Sequence, residues 1–385
     1  MSAFETSQFP LAGLQAVANA RNEWVAVTVQ LPPGGAIGTL ATVLGYPDVF
    51  AALAPLACIV DIADPCAIGD SLLQVLPPRN TIFCMPAALF ADKKVQEKCL
   101  KLHDDGYRIL VDGAGAVPCA AVGALSFDCG AALPQWLPLL ALPGPHLARN
   151  VDDVQRLAAC RALGFSWFSG NYALRGRAGA PDDGSSRKRL LALLGLLARD
   201  ADARELESLF KQDPALSYHL LKLVNSAAFA LSTPINRFSQ AINLLGRRQL
   251  QRWLQLLLYV GGQEDGIGNA LLPLAAVRAA QMEMLCKIAG GDRDQQDSAF
   301  MVGVFSLLDV LLGMPMGEIV GALQLDGALE LALLERGGAL GRMLALTEMR
   351  CATADALSAV GIDGETYWRS LLQAYQWAIQ VSRNL

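Results

Sequence analysis

One carboxylate stands in an otherwise apolar run: Asp309 in GVFSLLDVLLG, Gly303 to Gly313. An ionised Asp withdrawn from water without a partner is costly, so such a group binds a metal, holds a proton or accepts internal hydrogen bonds. Read as one continuous helix, the run buries Asp309, and the expected role is to accept from a neighbouring Arg or from backbone donors at a facing helix end. Carriers of metal or nucleophile chemistry are few elsewhere. The histidines are His103, His146 and His219, so a site near Asp309 built on imidazoles has His219 to draw on and no other in that half. The nine cysteines (Cys58, Cys66, Cys84, Cys99, Cys119, Cys129, Cys160, Cys286, Cys351) form no C-x-x-C pair and mostly sit in apolar runs, which reads as buried, reduced thiols. No G-x-S-x-G elbow, Walker loop or dinucleotide fingerprint occurs, and PPGGAIG (Pro32 to Gly38) lacks the Lys-Ser/Thr ending that grips phosphate.

The elements that would position these groups change character along the chain. Early on, WVAVTVQL (Trp24 to Leu31), ACIVDI (Ala57 to Ile62), TIFCM (Thr81 to Met85) and RILVDG (Arg108 to Gly113) are short, apolar and rich in β-branched residues, with helical patterns such as Ala91 to Asp105 between them. That alternation predicts strands buried on both faces with crossover helices, as in a parallel sheet or α/β barrel. RGRAGAPDDGSSRKR, Arg175 to Arg189, has no apolar period and reads as an interdomain linker. Beyond it the strand signals vanish. KQDPALSYHLLKLVNS predicts a helix capped by Asp213, with Pro214 at its first position and Leu216, Leu220, Leu223 and Val224 on one face. STPINRFSQAINLLG carries Ser239 as a cap and Gly246 as a stop, and another helix is expected from Arg247 to Tyr259.

Bulk properties narrow the classes. A chain of 385 residues argues for two domains. With 53% hydrophobic and 17% charged residues it builds large cores and is not disordered. A net charge of −5 argues against nucleic-acid binding, although AINLLGRRQLQRW has helix-turn-helix spacing, with Arg247, Arg248 and Arg252 on its second helix. Arg stems packed over apolar surface explain those cations as well. No signal peptide or run of membrane-spanning length is visible, so a cytoplasmic location is expected. The large aromatics Trp253, Tyr259, Tyr367, Trp368 and Trp377 are expected in the core, with an interface as the other reading.

DPALSYHLLKLVNSAAF followed by PINRFSQAINLLGRRQLQRWL resembles the HDOD domain, a bacterial signalling module related in fold to the HD and HD-GYP metal phosphohydrolases. The resemblance runs from Leu190 to roughly Arg350. In it, Asn225–Ser226 is a signature doublet closing a helix, where Asn tolerates the left-handed conformation; the same surface is a possible partner contact. In the other half, GFSWFSGNYAL (Gly164 to Leu174) resembles the closing strand region of EAL domains, the cyclic di-GMP phosphodiesterases; RILVDG resembles their double-aspartate strand, and WVAVTVQL sits where their opening strand would be.

The EAL resemblance implies acidic strand ends that hold divalent metals and activate water. In this chain the opening Glu falls at Thr28, the following phosphate-gripping Arg at Pro32–Pro33, a later Glu near Cys84, and the double aspartate at Asp112–Gly113. The Lys-x-Asp strand reads Ser126-Phe127-Asp128, the late Glu-Lys pair Arg149–Asn150, and the last Gln is Ser169. The adjacent His–Asp pair of HD hydrolases falls at Ser306–Leu307, and Asp309, rotated by roughly 200–300° on a helix, does not replace it.

These readings predict a degenerate, shortened (β/α)8-like EAL barrel over 1–178, a linker at 179–188 and an all-helical HDOD domain over 189–385, that is, α/β plus all-α. The expected function is non-catalytic signal transduction through other signalling proteins, with no cofactor, no catalytic residue and no metal. The alternatives are a cyclic di-GMP receptor without catalysis, against which the missing Arg speaks, and a residual metal-dependent phosphodiesterase. Candidate interaction or signature positions are Asp213, Pro214, Asn225, Ser226, Gly246, Arg247 and Asp309.

Overall fold

Two asparagines turn the chain back on itself near its start. Asn22 takes the left-handed conformation (φ 62°), which Asn tolerates better than most residues, and the Asn19 N–H donates to the Glu23 carbonyl at 2.9 Å. The result is a hairpin of β1 (Gly13–Asn19) and β2 (Trp24–Gln30). Arg161 braces the turn from outside, donating to the Ala20 carbonyl at 2.9 Å. The computed structural model describes residues 9–32, 37–113, 119–134, 142–175, 192, 195–196, 238–259 and 267–384.

Three predicted strands follow, β3 (Ala57–Asp61), β4 (Thr81–Pro86) and β5 (Arg108–Asp112), and after them come β6 (Val122–Asp128), β7 (Leu147–Arg149) and β8 (Trp167–Phe168). They close into one barrel in sequence order. From β2 to β8 each neighbour pair is parallel, as the buried apolar runs imply. Two expectations need correction. The barrel is not wholly parallel, and WVAVTVQL is its second strand. β1 precedes it and lies antiparallel to both β2 and β8, pairing Ala18 with Phe168 and Asn19 with Trp167. The cause is the short hairpin, which can join only antiparallel strands.

Helices α1 (Ile37–Leu44), α2 (Val49–Leu53), α3 (Asp70–Leu73), α4 (Lys93–Asp104) and α5 (Val154–Ala162) lie between strands. The predicted helix at Ala91 to Asp105 is α4, begun by the Asp92 carboxylate accepting from Lys94 N–H at 2.9 Å. Alternate strand residues fill the interior: Val17, Ala26, Ile59, Ile82, Leu110, Ala124 and Leu147 form its core.

Cα packing divides the chain into two compact units, Met1–Arg175 with Met349–Leu372, and Gly176–Glu348 with Gln373–Leu385. In the first, the Arg350 carbonyl comes so near Gly13 that a Cβ there would lie 1.8 Å from it. This unit also takes α13 (Ala354–Val360) and the first turns of α14 (Gly364–Asn384), with Tyr367 and Trp368 buried as expected.

The second unit is helical throughout its described residues: α6 (Phe238–Leu257), α7 (Ile267–Ile288), α8 (Arg293–Phe305), α9 (Leu308–Leu312), α10 (Met316–Leu323), α11 (Gly327–Glu335) and α12 (Gly338–Thr347). Gly246 interrupts α6 with φ 70° and ψ 159°, so it stops one helical stretch as predicted. α7 and α8 meet backbone to backbone, because Gly303 has no side chain; a Cβ there would sit 2.6 Å from the Ala279 Cα. GVFSLLDVLLG is not one helix. α8 ends at Phe305, Leu307 leaves helical geometry (φ −118°, ψ 10°), and α9 is a separate short helix closed by left-handed Gly313. The Ser306 hydroxyl donates back to the Gly303 carbonyl at 2.8 Å, and such side-chain competition weakens the helix ladder. Among the described residues, no helix is long and apolar enough to cross a membrane.

Candidate functional site: the carboxyl ends of the barrel strands

The period of two that fills the barrel core also decides what stands at its mouth. One step beyond the core residues in each inward row come Thr28, Asp61, Cys84, Asp112, Ser126 and Arg149. Strand register levels them: Asp61 lies opposite Cys84, and Asp112 opposite Ser126. Arg149 ties the ring together. Its Nη1 and Nη2 donate to the two oxygens of Asp61 at 2.9 and 2.6 Å, and its Nε donates to Ser126 Oγ at 2.8 Å. The arginine is largely buried and Asp61 about half exposed, with side-chain exposures of 18% and 47%.

Charge in this ring is unevenly shared. Burial alone would lower the pKa of Arg149, but the fork onto Asp61, with Cys84 and Asp112 near, holds it above its ordinary value. Burial pushes the Cys84 thiol up to about 12 against the pull of Arg149, so Cys84 is a neutral thiol at physiological pH and a poor metal ligand. Asp112 keeps one buried oxygen without a hydrogen-bond partner. Asp128 stands apart from the ring, accepting from Gly130 N–H and Asn150 Nδ2 at 2.9 Å each. Among the described residues, no three His, Cys, Asp or Glu side chains are grouped to hold a metal ion.

A second polar cluster lies in the helical unit, around the position of the expected His–Asp pair. Ser306 is buried and accepts from Arg278 Nη1 at 2.9 Å. Arg278 also faces Glu348 at 3.2 Å, and Arg336 forks onto the same Glu348 at 2.9 and 3.0 Å. Burial draws the pKa of Arg278 below its ordinary value, with Glu348 opposing. Nearby, the buried Tyr259 hydroxyl donates to the Val304 carbonyl at 2.6 Å, and burial raises its pKa.

Asp309, expected to accept hydrogen bonds within a continuous helix, is half-buried in the first turn of α9, and its Oδ1 has no hydrogen-bond partner. It acts on Arg278 and Tyr259 through charge alone. The break at Leu307 places it in a separate short helix rather than in the middle of a long one.

Two arginines of the helix-turn-helix-like segment, Arg248 and Arg252, are engaged within the fold. Arg248 meets Asp297 at 2.5 Å; Arg252 bonds Glu283 and meets Asp297 at 3.0 Å, with its guanidinium 4.9 Å from the Phe300 ring centroid. Trp253 and Phe300 pack against Trp377 at 6.0 and 5.7 Å.

Of the sequence-predicted positions, Asp213, Pro214, Asn225, Ser226 and His219 lie outside the described residues, as does the Arg247 side chain. Gly246 is exposed at its break. Asp61, Arg278, Glu283, Asp297 and Glu348 did not stand out in the sequence. Asp61 had a signal, since in ACIVD it shares the inward row of Ala57 and Ile59. The others are ordinary charges on helices until their partners are known.

The family model of the HDOD domain matches residues 188–305. Cyclic di-GMP phosphodiesterase CdgJ of Vibrio cholerae serotype O1 is 28% identical over 251 residues, covering 62% of this chain and 56% of that protein. The uncharacterized protein YuxH of Bacillus subtilis is 29% identical over 238 residues, covering 60% of this chain and 58% of YuxH. The chain thus matches little more than half the length of these relatives. Among solved structures, the EAL domain of Mycobacterium smegmatis DcpA aligns at a TM-score of 0.34 and 15% identity over 42% of this chain and 89% of that one.

Proposed function

We propose that this chain is a cytoplasmic signal-transduction protein without catalytic activity, whose barrel is a degenerate phosphodiesterase scaffold and whose output is contact with other signalling proteins. The observation that carries this reading is the Arg149 fork, which occupies both Asp61 oxygens and Ser126 at the strand ends. With its charge matched by the guanidinium and both of its oxygens engaged, Asp61 offers a divalent cation little net attraction. The nearest ligands left to such an ion would be a neutral thiol and the single carboxylate of Asp112. These residues do not fit a metal centre. Support in the helical unit is similar: Arg278 lies against Ser306, where a hydrolase of the HD type would place a metal ligand.

The name of CdgJ favours a second reading, hydrolysis of cyclic di-GMP. The test is turnover of cyclic di-GMP by the purified chain with Mn2+ or Mg2+ at millimolar concentration. The expected result is no linear dinucleotide above the no-protein control and no change in melting temperature with metal or nucleotide. Hydrolysis that disappears in Asp112→Asn would overturn the proposal. A nucleotide-induced rise in melting temperature without hydrolysis would establish the receptor alternative instead. A DNA-binding role finds Arg248 and Arg252 already paired with carboxylates and is expected to fail a gel-shift assay at low salt.

A further inference from the structure

The opposite end of the barrel holds a feature that plays no part in the reading above. Where the strands begin, a mostly apolar cleft of about 90 Å³ opens between the first residues of β4, β5, β6 and β8. Its walls include Ile82, Leu110, Ala124 and Trp167, and Pro145 forms part of the rim. The cleft is lined on one side by Gly123, where an added Cβ would meet nothing within 4 Å. For scale, an enclosed apolar cavity of about 150 Å³ takes a whole benzene. An open cleft of this size therefore admits most of a small ring while one end stays outside.

Arg108 stands at the mouth, as the first residue of β5, beside His103 at the end of α4. Among the described residues no carboxylate, carbonyl or ring engages its guanidinium. The side chain is exposed, yet its surroundings draw its pKa below the ordinary value by burial, with no acidic neighbour to offset this. An exposed guanidinium without a counter-charge among the described residues is a ready partner for an anion, and Arg binds carboxylates through two parallel N–H donors.

We infer that this cleft binds a small carboxylate with an apolar body: the body enters between Trp167 and Gly123, and the carboxylate remains at the mouth on Arg108. Arg108 disfavours a cation, and an uncharged apolar molecule would make no use of the guanidinium.

Benzoate titrated into the full chain, followed by calorimetry and by melting temperature, tests the inference. Benzoate is expected to bind saturably at millimolar concentration or below and to raise the melting temperature. Benzyl alcohol and benzylamine are expected to bind at least about tenfold more weakly, the size of one charge-assisted hydrogen bond. Arg108→Gln should weaken benzoate by a similar factor. Gly123→Leu should fill the cleft and abolish binding with its own melting temperature preserved. The inference is overturned by the absence of saturable benzoate binding, by equal affinity for benzyl alcohol, or by undiminished binding in folded Gly123→Leu. If Gly123→Leu does not fold, Arg108→Gln decides: unchanged affinity in that exposed variant overturns the proposal.

Discussion

Arg149 shows how one side chain can alter what a barrel mouth is able to do. Its planar fork satisfies two oxygens of one carboxylate and a serine at once, which an ammonium on a flexible stem does not reproduce. Arg149→Lys is accordingly expected to lose stability, and Arg149→Met more so, by about 1–3 kcal/mol. The lower part of the range applies because Asp61 is half exposed and water screens it once freed. Urea denaturation of both variants measures this, and no loss in either would show that the fork carries no weight. The thiols give a second check at the same scale. Burial raises Cys58 and Cys99 to about 12, as it does Cys84, whereas Cys66 is exposed. Iodoacetamide at pH 8 should label Cys66 in the native protein and these three only after denaturation, as read by mass spectrometry.

Individual helices depend on their ends and on their closest approaches. Asp363 opens α14, its carboxylate accepting from Thr366 N–H at 2.7 Å, and this hydrogen bond holds its pKa below the ordinary 3.8. A depressed folded pKa means the cap contributes fully above about pH 4 and is lost as pH falls through the folded value. Asp363→Ala should cost about 1 kcal/mol at neutral pH. Asp363→Asn, which also caps, should cost little there and flatten the fall in melting temperature below pH 4. An acid profile identical to the parent's would remove the cap from the account. In the helical unit, Gly303→Ala would gain up to about 1 kcal/mol in helix propensity but force α7 and α8 apart. Overpacking is expected to win, for a net loss of about 1–3 kcal/mol in chemical denaturation.

At the scale of the whole molecule, barrel closure rests on β1, the strand that joins β2 to β8. A chain beginning after Asn19 leaves both neighbours with unpaired edges. Such a truncation is expected to lose near-ultraviolet circular dichroism from the barrel and to bind a hydrophobic dye; a native-like spectrum would mean the barrel closes without β1. Much of this architecture was legible in the residues themselves. Runs such as ACIVD and TIFCM announce strands because β-branched and apolar side chains at short range suit a doubly buried ribbon. Gly246 announces a stop because only the local backbone is at issue there. The amino acids alone determined where most of the strands and helices lie (though not β1 or the break at Leu307), which family motifs they carry, and which strand-end side chains are acidic, neutral or basic. Only tertiary structure decided that Arg149 reaches back across 88 residues to Asp61, that Arg278 covers Ser306, and that Asp309 keeps an unpartnered oxygen. Those outcomes depend on strand register, closure and a helix break, which bring distant groups within hydrogen-bonding range; periodicity and propensity report neighbours a few positions away and carry no record of such meetings.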